Sequence, residues 1–318
     1  MVGLKMKKNR FVTGFAVLAF SALVLGACGA DNSGSSSSST SESSAAQTSE
    51  SSKASTESSE AKVVAGAPLK DGTYKLEEKN YSNGYRTVFE ITVKDGKIAE
   101  SNYDNINEDG KSKVDDADYN KNMKDKAGTN PEEFIPALNK QLVETQSASD
   151  IEVVTGATHS TESFQNYAQQ LIQAAQAGDT KTIEIDNGAD LKDGTYTLEE
   201  KNDSNGYHVK FEMTVADGKV SESNFDYLNA DGKSKKDDAD YNKNMKAKSG
   251  TSPETYIPEL NSEFVKAMGE EDGTPADVEV VTGATHSSHS FIIYAQQLVN
   301  AAEKGDTTPI EVDNIVTE

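Results

Sequence analysis

Apolar residues in this chain alternate in two stretches and recur at helical spacing in two others. Thr87, Phe89, Ile91 and Val93 alternate with Val88, Glu90, Thr92 and Lys94, the period of a strand buried on one face. Asn83-Gly84 and Asp95-Gly96 bracket this stretch and predict hairpin turns. Val209, Phe211, Met213 and Val215 repeat the device between Asn205-Gly206 and Asp217-Gly218. Further on, Phe164, Tyr167, Ala168, Leu171, Ile172 and Ala175 fall on one helical face, and Gly178 stops the helix. Phe291, Tyr294, Ala295, Leu298, Val299 and Ala302 do the same before Gly305. Asn130-Pro131-Glu132-Glu133 reads as an N-cap, a first-position proline and an acidic first turn. Pro136 and Pro258 leave the start of this helix and of its later counterpart open. Strands first and helices later predict an α+β fold with an antiparallel sheet and packed helices.

The pattern occurs twice because the chain is a tandem repeat. Asp71-Gly72-Thr73-Tyr74 returns as Asp193-Gly194-Thr195-Tyr196, and Tyr119-Asn120 as Tyr241-Asn242, at one constant offset. The later helices are offset by five residues more, so the second copy carries an insertion. Gly, Glu, Asp and Pro between Gly269 and Ala276 mark it as a loop. The two domains are placed at 67–187 and 188–318.

The residues ahead of the repeats have a different character. Lys5, Lys7, Lys8 and Arg10 precede an apolar run from Phe11 to Ala27, which reads as a signal peptide over 1–27. The run ends Leu25-Gly26-Ala27-Cys28, which resembles the lipobox of bacterial lipoproteins. Cys28 is the only cysteine of the chain. A diacylglyceryl group on its thiol would give a firm membrane anchor. With no second cysteine, disulfides, iron–sulfur clusters and thiolate zinc sites are excluded. Residues 28–66 then form a Ser-rich segment with almost nothing to bury, expected to be a disordered tether reaching on the order of 30–35 Å. The net charge of −22 over 318 residues argues against nucleic acid as a partner, since its phosphates need lysine and arginine.

One motif dominates the candidate chemistry. Val153 to Ser160 and Val280 to Ser287 both read Val-Val-Thr-Gly-Ala-Thr-His-Ser, between a short apolar run and an amphipathic helix. A strand, a tight turn and a helix start make a phosphate site, because free amides and the helix dipole favour an anion there. Gly156 and Gly283 let the backbone come close, and Ala157 and Ala284 add no bulk. Thr158 and Thr285 would present hydroxyls beside a bound phosphate. On spacing alone, a plain helix cap is the favoured reading. Threonine is also a poor nucleophile by itself, and no Ser-His-Asp constellation accompanies it, so attachment would need another enzyme.

These residues resemble the FMN-binding domain of the RnfG and NqrC subunits of membrane redox pumps. Thr155-Gly156-Ala157-Thr158 and Thr282-Gly283-Ala284-Thr285 match the family's S/T-G-A-T motif. The resemblance implies two covalent FMN groups, phosphoester-linked to Thr158 and Thr285 by an ApbE-type FMN transferase using FAD and Mg²⁺. The whole layout is similar to flavin lipoproteins of Gram-positive extracellular electron transfer. That implies a lipid-anchored carrier on the outer face of the membrane. It would take electrons from a membrane quinol and NADH dehydrogenase chain and pass them to ferric iron or other extracellular acceptors.

Other constellations carry less. Tyr119 with Met123, and Tyr241 with Met245, share a helix face within nearly identical acidic strings. They could wall a flavin ring or simply pack in the core. A calcium loop at Asn105 to Asp116 is rejected, because the second copy places Tyr227 at the first ligand position. His159, His208, His286 and His289 share no metal spacing between the copies. Two further readings compete with the carrier. One is a structural or adhesive cell-wall lipoprotein whose motifs merely start helices. The other is a secreted flavin reductase with a defined small substrate.

Overall fold

The computed structural model describes residues 63–317. The signal segment, Cys28 and the tether up to residue 62 lie outside the described residues. Val63–Ala65, read from sequence as the end of the tether, is instead a strand, β1. It pairs antiparallel with the last strand, β10 (Val316–Thr317).

The fold is α+β, with the same unit built twice. In the first copy β2 (Gly72–Glu78), β3 (Arg86–Lys94) and β4 (Lys97–Ile106) form an antiparallel meander. Helices α1 (Ala117–Ala127), α2 (Pro131–Thr145) and α3 (Thr158–Ala177) follow. The chain then returns to the sheet as β5 (Ile183–Ile185), parallel to β2, giving the order β4-β3-β2-β5. The second copy repeats this with β6 (Gly194–Glu200), β7 (His208–Ala216), β8 (Lys219–Leu228), α4 (Ala239–Ser249), α5 (Pro253–Ala267), α6 (Thr285–Lys304) and β9 (Ile310–Val312). Its sheet order is β8-β7-β6-β9. Among the described residues no helix is long and apolar enough to cross a membrane.

Local chemistry explains the elements. Asn83-Gly84 and Asp95-Gly96 all have positive φ, as do their second-copy counterparts, which matches tight hairpin turns to the twist of the strands. Thr87, Phe89, Ile91 and Val93 are the buried face of β3, as the alternation predicts. The Asn130 side chain caps α2 by accepting from the Glu133 amide, and the helix runs on through Pro136. Pro136 lies inside the helix and lacks the amide that would have donated to the Glu132 carbonyl, so α2 gives up one bond there.

Each copy has its own core. Phe164 of α3 is fully buried against Phe89, with ring centroids 4.9 Å apart, and against Tyr103 at 5.1 Å. Phe291 repeats this against Phe211 at 4.9 Å and Phe225 at 5.0 Å. This packing fixes α3 and α6 on their sheets, and with them the residues at the helix starts. Asn139 of α2 covers the open edge of β4, accepting from the Tyr103 amide and donating to its carbonyl.

Candidate functional site

Both Thr-Gly-Ala-Thr motifs form the same turn at the amino end of the two 20-residue helices. The Ala157 amide donates to the Val154 carbonyl at 2.9 Å, and Ala284 to Val281 at 2.9 Å. Ala157 and Ala284 are the N-caps, and Thr158 and Thr285 are the first helical residues. Gly156 and Gly283 both have φ of +84°. A Cβ on Gly156 would lie 2.1 Å from the Ala127 carbonyl oxygen, and one on Gly283 would lie 2.2 Å from that of Ser249. The left-handed backbone and the close approach to the end of α1 or α4 each demand glycine. Ala157 and Ala284 are buried, whereas Thr155, Thr158, Thr282 and Thr285 are exposed.

The expected strand before the turn does not form. Residues 151–154 and 279–281 are irregular. In the first copy their backbone groups are taken by side chains instead of a neighbouring strand. The Ile151 carbonyl accepts from Gln165 Nε2 at 2.8 Å, and the Glu152 amide donates to Gln141 Oε1 at 2.8 Å. The Val154 amide donates to Thr161 Oγ1 at 3.2 Å, and that hydroxyl donates to the Ala157 carbonyl at 3.0 Å. Ser288 does the same for Val281 and Ala284, at 3.1 and 3.0 Å. Thr161 and Ser288 are fully buried and tie the turn to the helix. Sequence reasoning missed both. The available signal was a hydroxyl residue three places after the last motif threonine in each copy.

The helix starts differ from the others in the molecule. Helices α1, α2, α4 and α5 have Asp, Asn or Ser at the N-cap and an acid in the first turn. Helices α3 and α6 have alanine caps without a side-chain cap bond, and no acid in the first turn. In a chain of such negative charge, this leaves amides and the positive end of the dipole available to an external anion. The exposed Thr158 and Thr285 hydroxyls stand at that spot.

The tyrosine and methionine pairs are only partly brought to the motif. Met123 and Met245 are half-buried against the two cores, one turn before Ala127 and Ser249. Tyr119 lies nearer the other end of α1, its ring 6.0 Å from that of Tyr85 and capped by Lys113 Nζ at 4.2 Å. Tyr241 is placed likewise, with Tyr207 at 6.2 Å and Lys235 Nζ at 4.3 Å. Lys235 also faces Tyr227, which replaces Asn105 of the first copy. His159 and His286 are exposed beside the motif threonines.

Beneath each helix lies a shared carboxylate–phenol pair. Tyr167 donates to Glu78 Oε1 at 2.6 Å, and the Thr87 amide donates to the other oxygen at 2.7 Å. Tyr294, Glu200 and Val209 repeat this at 2.6 and 2.8 Å. Burial pushes both phenols well above their usual range, reinforced by the adjacent carboxylate charge. Near the second motif, Ser287 Oγ approaches the Tyr256 hydroxyl at 3.4 Å, and burial pushes that phenol up to about 12. Phe134 stands there in the first copy, so the two sites are not identical.

Comparison with known proteins places these features. The model of the family described as "FMN-binding domain" matches the chain twice, over residues 84–173 and 206–300. Both matches include the motif and the start of its helix. The 15 kDa lipoprotein of Treponema pallidum (strain Nichols) is 33% identical over 116 residues, covering 36% of this chain and 82% of that protein. A Clostridium perfringens protein of known crystal structure is 41% identical, covering 37% of this chain and 98% of that one, with a TM-score of 0.36. A Clostridium thermocellum protein solved by NMR is 25% identical over 36% of this chain and 95% of its own, with a TM-score of 0.24.

Proposed function

The chain belongs to the FMN-binding domain family, and on that premise we propose that it is a lipid-anchored electron carrier with one covalent FMN in each repeat. The observation that carries this reading is the pair of helix starts. In both copies an exposed threonine opens a helix whose cap and first turn are left without acids, above a glycine that admits no side chain. The fit is to a phosphate monoester. The amides at the helix start would hold its oxygens, and the Thr158 or Thr285 Oγ would carry the phosphorus. Attachment from FAD replaces the hydroxyl proton by an O–P bond and releases AMP. Mg²⁺ and an ApbE-type transferase would do this work, because threonine is a poor nucleophile by itself and no Ser-His-Asp constellation accompanies it.

The flavin, when bound, supplies reversible one- and two-electron chemistry. The protein's part is to hold it at the helix start and surround it with negative charge. That charge disfavours an anionic reduced ring and lowers its potential, less so at high salt. The Treponema pallidum relative is itself called a lipoprotein, which supports the reading of Cys28 as a lipid anchor. The complete layout fits a PplA-type role. In that role the protein takes electrons from a membrane quinol and NADH dehydrogenase chain and passes them to extracellular acceptors such as ferric iron.

Intact-mass measurement after co-expression with the transferase tests the proposal. The protein should gain two flavin phosphoryl groups, Thr158→Ala and Thr285→Ala one each, and the double variant none. Retention of covalent flavin by the double variant would falsify the site assignment. Ferric reduction by membranes should fall with flavin content. Undiminished reduction by flavin-free protein would rule out the carrier role.

A further inference from the structure

The two repeats meet along α3 and α6, and the seam is polar. Asn300 Oδ1 accepts from Asn166 Nδ2 at 3.1 Å and from Gln170 Nε2 at 3.2 Å. Asn300 Nδ2 donates to Glu303 Oε2 at 3.1 Å, and Glu303 Oε1 accepts from the Gly188 amide of the connecting segment at 2.7 Å. At this crossing the chain runs from the first repeat into the second, and Asn187 is tied to Asn80 by bonds in both directions. At a second crossing the end of the second repeat meets the start of the first. Asn314 is tied to Asn202 by the same set of bonds. Just beyond it β10 pairs with β1, Thr317 opposite Val63 and Val316 opposite Ala65.

We propose that β1 and β10 form a clasp, the non-covalent counterpart of the connecting segment, which locks the two repeats into one closed unit. The correspondence runs residue by residue. By the offsets of the repeat, Asn314 stands where Asn187 does, and Gly66 stands where Gly188 does. In the connecting segment these two residues are neighbours in the chain. At the clasp they come from opposite ends of the tandem and still touch. A Cβ on Gly66 would lie 3.0 Å from the Asn314 carbonyl oxygen and 2.8 Å from Ile315 Cα. Gly66 also has a φ of +100°, so the backbone conformation and the close approach both demand glycine.

Gln176 of α3 holds the clasp shut. Its Nε2 donates to the Ala67 carbonyl at 3.1 Å and to the Asp313 carbonyl at 2.7 Å, so one buried side chain joins the entry of the first repeat to the exit of the second. The residue type follows from what it faces. Glu303 occupies the same place in α6 and meets an amide, for which a carboxylate is an acceptor. Gln176 meets two carbonyls, which need a donor. The strands are short, three residues and two, and Val63, Val64 and Ile315 are exposed. Backbone pairing and Gln176 hold the clasp, whereas each repeat has its own core. The clasp can therefore open while both repeats stay folded. Closed, it keeps the two Thr-Gly-Ala-Thr motifs in one fixed relation.

Hydrogen exchange on the full chain tests the clasp. It is read at residues 63–67 and at Gly188, with β3 and β7 as the check that each repeat is folded. Ending the chain at Asn314 removes β10. Gln176→Glu leaves both strands in place but sets a carboxylate against two carbonyls. Gly66→Ala strains the crossing itself. Each change should speed exchange at 63–67 several-fold, toward the rate of an unpaired chain. Gly188 should follow, because a loosened seam frees the Asn300–Glu303 pair that holds its amide. Protection in β3 and β7 should stay. Exchange at Gly188 equal to the parent's in the chain ending at Asn314 would overturn the lock and leave the strand pair a local contact. Free exchange at 63–67 in the parent would overturn the clasp altogether. Loss of protection in β3 and β7 would overturn it as well, by making β10 part of the cores.

Discussion

Thr161 and Ser288 show what a single hydroxyl contributes. Each joins a loop amide to a helix-cap carbonyl in a dry place, which holds the motif turn in shape. Thr161→Ala leaves the Val154 amide without this partner and should cost about 1–3 kcal/mol in chemical denaturation. It should also reduce labelling at Thr158 while sparing Thr285. Thr161→Ser should restore both, since serine serves in the second copy. The motif threonines and glycines were legible as a string of residues. Thr161 was not, because its role depends on where the folded chain brings Val154. Glu162, on the next position, was likewise invisible. Burial, then the charge of Asp277, pushes its carboxyl up from 4.5 to about 7. Between those values the folded state keeps a proton that the unfolded chain has released. Stability from this group is therefore full below about pH 4.5 and is lost as pH rises to about 7. Glu162→Gln should be more stable than its parent above pH 7, by roughly 1–3 kcal/mol, with a flatter profile across that window. An unchanged denaturation profile would mean that the carboxyl is better solvated than its burial implies.

Helix starts set the chemistry at the next scale. Four helices neutralise their own amino ends, and Asn130→Ala in α2 should cost about 1 kcal/mol of stability for that reason. Helices α3 and α6 do not, and an acid placed in the first turn would occupy the vacant field. His159→Asp should stabilise α3 by roughly 0.3–1 kcal/mol yet lower phosphoester formation on Thr158, read as fractional mass gain. Equal labelling would show that the dipole plays no part in attachment. The meander strands and the two long helices were legible because each carries a full buried face, as β3 and α3 do. The edge strands β5 and β9 have three residues each, too few for a period to show. The apolar run before each motif looked like a strand because Ile151 and Val278 are buried, but side-chain bonds rather than a ladder satisfy the segment in the first copy.

Duplication was the most legible property of the whole molecule, because residues at the same turns and cores recur in order. What the sequence left out was how the copies meet, since the seam is made of amides such as Asn166 and Asn300 that carry no periodic signal. Residues 67–187 include β5 and the paired Asn80 and Asn187, so this half should fold alone with one cooperative urea transition. It should accept one flavin, read as a single mass gain after co-expression with the transferase. Failure to fold would show that the seam is part of the first core. The exposed motif threonines Thr158 and Thr285 have a consequence of their own. Each stands on the outside of a finished unit, with its neighbours already packed by the turn beneath. The FMN attachment proposed there would require no opening of the structure, so cofactor loading could follow folding.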